Sequence, residues 1–223
     1  MSTQRRLWPV LVASGLGIIV LCGLGTWQVE RLAQKLALIA TLQQRMAAEP
    51  LAMVEALKQP DAEYLKVKAT GSLDVTHVLY KQAIFHGLGG WEAIAPFKTE
   101  RGTEVLVDLG STANKDQAAK PITEVTGILR LHNKGRGYFD NDNNPAQNQW
   151  FWWDLTAMQK AAGLSAEAPR LIVQALANDS GFEAAEPKVE LANNHLGYAI
   201  TWFGLAMALA GVTLAFVLKK PDA

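Results

Sequence analysis

Two long apolar stretches lie near the two ends of the chain, and a mixed polar segment separates them. The first runs from Leu7 to about Gly25 and the second from about Leu196 to Leu218, and neither contains a charged side chain. A hydrocarbon core of about 30 Å is crossed by about 20 helical residues. We therefore predict transmembrane helices over residues 7–29 and 195–218, with an extramembrane domain over residues 30–194.

Helical periodicity continues beyond the first apolar stretch. Apolar residues recur at helical spacing at Leu32, Leu36, Ile39 and Leu42. Pro50 is expected to end this helix, and the segment Leu51–Leu57 predicts another short one.

From Tyr64 onwards the pattern is typical of strands. Short runs bounded by Gly-rich or Asn-rich turns predict strands at Tyr64–Thr70, Val78–Ala83, Trp91–Phe97, Glu104–Leu109, Thr123–Leu131, Gln149–Trp153 and Leu171–Ala177. A helix that Asp154 caps and Gly163 stops interrupts them. The predicted fold class is α+β: a mostly antiparallel sheet or partly closed barrel with one or two helices, carried between two membrane helices.

Flanking charges predict the orientation in the membrane. Arg5 and Arg6 precede the first apolar stretch and Lys219 and Lys220 follow the second, and such clusters favour the cytoplasmic side. We expect both termini to be cytoplasmic and the central domain to be periplasmic. The apolar run is longer than a usual signal core, and no small-x-small cleavage site follows it. We therefore expect an uncleaved anchor in a bacterial inner membrane.

Composition narrows the function classes. The formal net charge is zero, so no nucleic acid or other polyanionic partner is implied. The only cysteine, Cys22, lies in the first apolar stretch, so the chain alone cannot deliver copper through paired thiols. Asp140 and Asp142 resemble the start of a calcium loop, but Pro145 stands where that loop needs Gly. We find no catalytic constellation, so we do not expect an enzyme.

The most informative polar residues lie where the predicted spans meet the outer surface. Trp27, Gln28 and Arg31 follow the first span, and His195 begins the second, on the same side of the membrane. His195, Tyr198 and Trp202 share one helical face. The group is either an aromatic belt with a polar cap or a ligand pocket. In the second case a neutral imidazole could ligate haem iron and Arg31 could pair with a propionate.

Small residues predict how the second span packs. Gly197, Gly204 and Gly211 recur every seven residues, and small residues let helix backbones approach closely. We expect this glycine face to pack against the first span or against helices of a partner.

Three motifs resemble those of the surfeit locus protein family of cytochrome c oxidase assembly factors. The first is Gly25–Arg31 followed by Lys35, and the last is Asn193–Phe203. The middle motif consists of Asn144, Pro145, Asn148, Trp150, Asp154, Leu155 and Met158. The order of the motifs and the two-span layout also match. Asp108–Thr112 departs from the family, whose usual Arg-Gly-Trp is missing there.

The resemblance implies a biogenesis factor for haem–copper oxidases that binds haem a and helps to place it in the large oxidase subunit. The family's haem-linked histidine corresponds to His195, and its first-motif Trp and Arg to Trp27 and Arg31. Expected partners are the large oxidase subunit, membrane lipid and, as a further candidate, haem a synthase. Two rivals remain: a scaffold for the immature subunit that binds no haem, and a membrane-tethered enzyme.

Overall fold

The computed structural model describes residues 4–132, 135–189 and 191–218. Lys219 and Lys220, on which the orientation prediction partly rests, lie outside these residues. The chain divides into two compact units. The described part of the helix unit comprises residues 4–41 and 191–218, and the sheet unit covers residues 42–189.

Two long apolar helices form the helix unit. Helix α1 spans Gln4–Ala47 and α4 spans His195–Leu218, and both are long and apolar enough to cross a membrane. Their large side chains are mostly exposed, unlike those of a buried core helix. The periodicity that continues past Gly25 is confirmed, because α1 runs without a break to Ala47. The last turns of α1 belong to the sheet unit, where Arg45 Nη1 lies 2.7 Å from Asp61 Oδ2.

Seven strands, two short helices and a 3₁₀ turn make up the described sheet unit. The strands are β1 (Leu51–Ala52), β2 (Lys66–Leu73), β3 (Leu79–Phe85), β4 (Leu88–Thr99), β5 (Glu104–Thr112), β6 (Glu124–Arg130) and β7 (Ile172–Ala175). The helices are α2 (Met53–Ala56) and α3 (Leu155–Ala161), and the 3₁₀ turn is Pro145–Gln147.

The strands are paired in the order β1-β2-β6-β7-β5-β4-β3, and β2 also pairs with β4. The pairings β2–β6, β6–β7, β7–β5, β5–β4 and β4–β2 therefore form a closed cycle. Only β1–β2 and β5–β7 are parallel pairs, so the mostly antiparallel α+β prediction is confirmed.

Strand alternation distributes the core over two faces of the sheet. On β5, Val105, Val107 and Leu109 belong to the larger apolar cluster, while Leu106 faces a second cluster built around Trp150 and Met158. Helix α3 covers this second cluster. As predicted, Asp154 caps the helix: its Oδ1 accepts a hydrogen bond of 3.0 Å from the backbone N–H of Ala157.

Two local predictions are wrong. The expected strand Gln149–Trp153 is only a pair of isolated bridges, Lys81 with Trp150 and Asn144 with Gln149. Beyond Trp150 a side chain binds the backbone instead, since Asn143 Oδ1 accepts from the N–H of Phe151 at 2.7 Å and of Trp152 at 3.3 Å. The expected helix Leu51–Leu57 shrinks to the single turn α2, because Leu51 and Ala52 pair with β2 as β1.

Candidate functional site

Helices α1 and α4 approach each other at two glycines of α1. A Cβ placed on Gly25 would lie 2.7–2.9 Å from three ring atoms of Phe203, and one on Gly17 would lie 3.0 Å from Leu209 Cδ2. On the facing side of α4, Phe203 and Leu209 lie against these glycines, and Ala199 is buried. Because small residues let helix backbones approach closely, these contacts fix the register of the pair.

A polar contact lies beside this packing. His195 Nδ1 is 2.8 Å from Gln28 Oε1, and it joins the first residue of α4 to α1. Gln28 is only 9% exposed, although it stands on an apolar helix. It follows Gly25 by three residues, so it occupies nearly the same side of α1. The structure thus brings together two of the site residues that the sequence placed on different spans.

The other predicted residues on α1, Trp27 and Arg31, contact each other. The Arg31 Cζ atom lies 5.7 Å from the centre of the Trp27 ring, and its Nη1 donates a 3.0 Å hydrogen bond to Gln34 Oε1. Trp27 is half exposed. Arg31 is therefore held along α1 by an aromatic face and a neutral amide.

The aromatic residues of α4 lie near the same helix face as His195. Tyr198 is 55% exposed, while Trp202 is half-buried. The backbone N–H of Tyr198 donates to Asn194 O at 3.3 Å, which extends the helical bonding to the residue before His195. The aromatic surface beside the imidazole is thus largely open.

The glycine face of α4 does not pack against α1. Outside the adjoining turns of α4 itself, no atom of the described chain lies within 4 Å of a Cβ built on Gly197, Gly204 or Gly211. A helix turns about 100° per residue, so these glycines lie roughly half a turn from Ala199 and Ala206, which are buried. The predicted α1–α4 contact through this face is wrong, because the glycines that permit close approach are on α1. Packing of the face against a partner helix stays a prediction.

The middle motif has a structural role in the sheet unit. Asn148 adopts a left-handed backbone with φ of 51°. Its Oδ1 accepts from Tyr80 N–H and Trp150 Nε1, and its Nδ2 donates to Val78 O at 2.7 Å. The fully buried Trp150 is thereby tied to the edge of β3.

Sequence reasoning missed a row of charged and polar side chains across five strands. The row consists of Lys81 on β3, Glu92 on β4, Asp108 on β5, Gln174 on β7 and Arg130 on β6. Lys81 Nζ lies 2.6 Å from Glu92 Oε2, and Arg130 Nη1 donates to Gln174 Oε1 at 3.2 Å. One signal was available, because Asp108 interrupts the apolar run Val105–Leu109.

The electrostatics of this row centre on Asp108, which is 6% exposed. Burial, reinforced by the charge of Glu92, raises the pKa of Asp108 to about 7. The Gly110 N–H, which donates to Asp108 Oδ1 at 3.0 Å, and the cations Lys81 and Arg130 oppose this rise. Asp108 therefore keeps its proton to higher pH than an ordinary aspartate does.

Among the described residues, no group of three or more His, Cys, Asp or Glu side chains could hold a metal ion. Two histidines of the sheet unit pair with carboxylates: His77 Nδ1 with Asp74 at 2.7 Å, and His86 Nε2 with Glu183 at 3.0 Å. His195 instead pairs with a neutral amide.

Two exposed apolar helices that pack together, joined to a mixed sheet, define a protein with two candidate membrane spans and one sheet domain. The chain belongs to the SURF1 family, whose model matches residues 16–207. Surfeit locus protein 1 of Homo sapiens is 32% identical over 83% of this chain and 70% of the human protein. The same protein of Gallus gallus is 32% identical over 83% of this chain and 68% of its own length. A SURF1-like protein of Rickettsia bellii is 30% identical over 86% of this chain and 83% of its own length.

Proposed function

We propose that this chain binds haem a beside its two packed helices and assists insertion of haem a into the large subunit of a haem–copper oxidase. Membership of the SURF1 family implies a role in cytochrome c oxidase assembly. Within this proposal, the resemblance of the final motif assigns the haem-binding role to His195. Assembly is the role that this family suggests, and we propose no enzymatic step for the chain.

The observation that carries the proposal is the hydrogen bond between His195 and Gln28. Histidines that ligate metals almost always donate their other ring N–H to an acceptor. Here Nδ1 faces the amide oxygen of Gln28 at 2.8 Å, which leaves Nε2 as the nitrogen for a ligand. Haem iron accepts a neutral imidazole nitrogen, so this donor set fits haem.

Residues next to His195 suit the rest of such a ligand. Trp27, Tyr198 and Trp202 offer aromatic surface for an apolar macrocycle. Arg31 carries a planar guanidinium that can bind a carboxylate through two hydrogen bonds. Its present partner Gln34 is neutral, so a propionate would be the stronger acceptor.

The length of α4 supports placing this site at the membrane edge. Its 24 residues correspond to about 36 Å, slightly more than a hydrocarbon core of about 30 Å. His195 is its first residue and would therefore stand near one interface. We propose a bacterial inner membrane, cytoplasmic termini and a periplasmic sheet unit, in accordance with the charges that flank the spans. Reporter fusions at Gly102 and at the C-terminus should report opposite sides, and the same side for both would refute this topology.

One observation favours the scaffold alternative. The stripe formed by Gly197, Gly204 and Gly211 is open along α4 in the described chain. Such a stripe could accept a helix of the large oxidase subunit without any haem.

An absorption spectrum separates the two functions. The chain is purified from cells that also produce the haem a synthesis enzymes, and in parallel from cells that lack them. The proposal expects haem a absorbance only in the first preparation. If the large oxidase subunit co-purified with the chain and no haem a absorbance appeared, the scaffold would replace the haem-binding proposal.

A further inference from the structure

The contact between His195 and Gln28 is unusual for a residue of an apolar span. Gln28 is 9% exposed, and its amide costs free energy in such surroundings unless it is bonded. Its described side-chain bond is to an imidazole from the other helix, 167 residues away in sequence. An apolar residue would fill the same volume without that cost, so the buried amide of Gln28 indicates a chemical role at this position.

The atoms in contact determine which imidazole nitrogen carries the proton. The amide oxygen of Gln28 can only accept, so Nδ1 of His195 must donate. The proton then resides on Nδ1, and the lone pair resides on Nε2. With the amide reversed, Gln28 would donate to Nδ1, and Nε2 would carry the proton and could not bind a metal.

Backbone packing holds the amide in place. Gly25 lies three residues before Gln28, and the Phe203 ring sits against it. This close approach of α1 and α4 restricts how far Gln28 can move from the start of α4. The acceptor is therefore positioned before any ligand arrives.

We infer that Gln28 is a positioning residue for His195, which fixes the imidazole in the tautomer with a free Nε2 and limits rotation of the ring. The inference rests on the proposed function and deepens it, since it assigns to α1 the control of the ligand on α4. An acceptor on Nδ1–H also raises the basicity of the ligating nitrogen. Loss of such a partner typically weakens metal binding by about 10- to 100-fold.

Three variants of the full chain separate positioning from packing. Gln28→Leu keeps approximate volume and removes the acceptor. Gln28→Glu keeps an acceptor, and Gln43→Leu is the matched control at an exposed glutamine of the same helix. Each chain is purified in detergent without haem, and NMR shifts of the imidazole nitrogens report the tautomer. The His195→Ala variant identifies which signals belong to His195.

We expect the proton on Nδ1 in the wild type, in Gln28→Glu and in Gln43→Leu, and a mixture of tautomers in Gln28→Leu. In haem-loaded preparations, transfer of haem to excess apomyoglobin should be about 10- to 100-fold faster from Gln28→Leu. Gln28→Glu should release haem no faster than the wild type.

A wild-type proton on Nε2, or unchanged nitrogen shifts in Gln28→Leu, would overturn the inference even if the chain bound haem a. The tautomer is measured without haem, so this result does not depend on the proposed function. Conversely, wild-type protein without haem a but with the expected shifts would refute the proposed function and leave the Gln28 contact in place.

Discussion

The substitution Gly25→Ala tests the packing that builds the candidate site. The new Cβ would lie 2.7–2.9 Å from the Phe203 ring atoms Cζ, Cε1 and Cε2. Carbon atoms pack best at about 3.5–4.0 Å, so the ring or the helices must move by about 1 Å. Overpacking of this kind costs about 1–3 kcal/mol, which lowers the folding equilibrium constant of the helix pair roughly 5- to 150-fold.

Gly204→Ala is the matched control on α4. Nothing lies within 4 Å of a Cβ at that position, and alanine favours a helix over glycine. The two variants can be compared in the full chain by unfolding in mixed micelles of increasing SDS content, followed by tryptophan fluorescence. We expect Gly25→Ala to unfold at lower SDS content and Gly204→Ala to unfold at the wild-type content or above it.

A second substitution sharpens the test. Phe203→Leu removes the ring edge that a Cβ at position 25 would meet. Gly25→Ala should therefore cost less in a Phe203→Leu background than in the wild type. The same cost in both backgrounds, or equal unfolding of Gly25→Ala and Gly204→Ala, would refute the packing described for α1 and α4.

Three further predictions concern single side chains. In the folded chain the pKa of Asp108 is raised from 3.8 to about 7. Between these pH values the folded chain holds a proton that the unfolded chain releases. The free energy of unfolding should therefore fall as pH rises across this range, by on the order of 4 kcal/mol. Thermal unfolding of the full chain should show this slope, and a slope of equal size in Asp108→Asn would contradict it. Asp154→Ala should lower the free energy of unfolding by about 1 kcal/mol, because α3 loses its N-terminal cap. The same thermal melts measure this loss, and an unchanged melting temperature would show that the cap contributes no stability. Arg31→Ala should lower the haem a content of the purified chain less than His195→Ala, because a propionate contact is lost rather than an iron bond; equal losses in the two variants would argue against this assignment.

Much of the architecture could be predicted because it depends on local patterns. The first apolar stretch and the helical spacing of apolar residues from Leu32 to Leu42 predict the long helix α1. The strand alternation identified six of the seven strands, and the two-residue turn His86–Gly87, with positive φ at both residues, closes the β3–β4 hairpin. The segment Gln149–Trp153 alternates equally well, but Asn143 and Asn148 bind its backbone or its side chains. Hydrogen bonds from side chains to the backbone do not change the alternation of apolar residues, so this alternation could not show that the strand is absent.

The candidate site could be predicted only in part. The topology of two spans places Gln28 and His195 on the same side of the membrane, and the structure brings them together. The sequence does not determine which imidazole nitrogen of His195 faces the amide oxygen of Gln28. That contact depends on how the two helices pack in three dimensions. The glycine face was misjudged for a related reason. A stripe such as Gly197 to Gly211 shows that a helix can be approached closely, but it does not say which helix approaches.

The row around Asp108 shows a third limit. A charge inside an apolar strand signals a buried polar partner, but Lys81, Glu92 and Arg130 come from three other strands, whose order in the sheet is not given by their order along the chain. Only the pairing order of the sheet brings them into one row.

The most direct test of the account is the haem a content of the His195→Ala variant, produced in full length together with the haem a synthesis enzymes. His86→Ala is the control, since His86 is an exposed histidine of the β3–β4 turn. We predict wild-type absorbance and haem-to-protein ratio in His86→Ala, and loss of bound haem a in His195→Ala at unchanged protein abundance. Wild-type absorbance and stoichiometry in His195→Ala would contradict the assignment of His195 as the haem ligand.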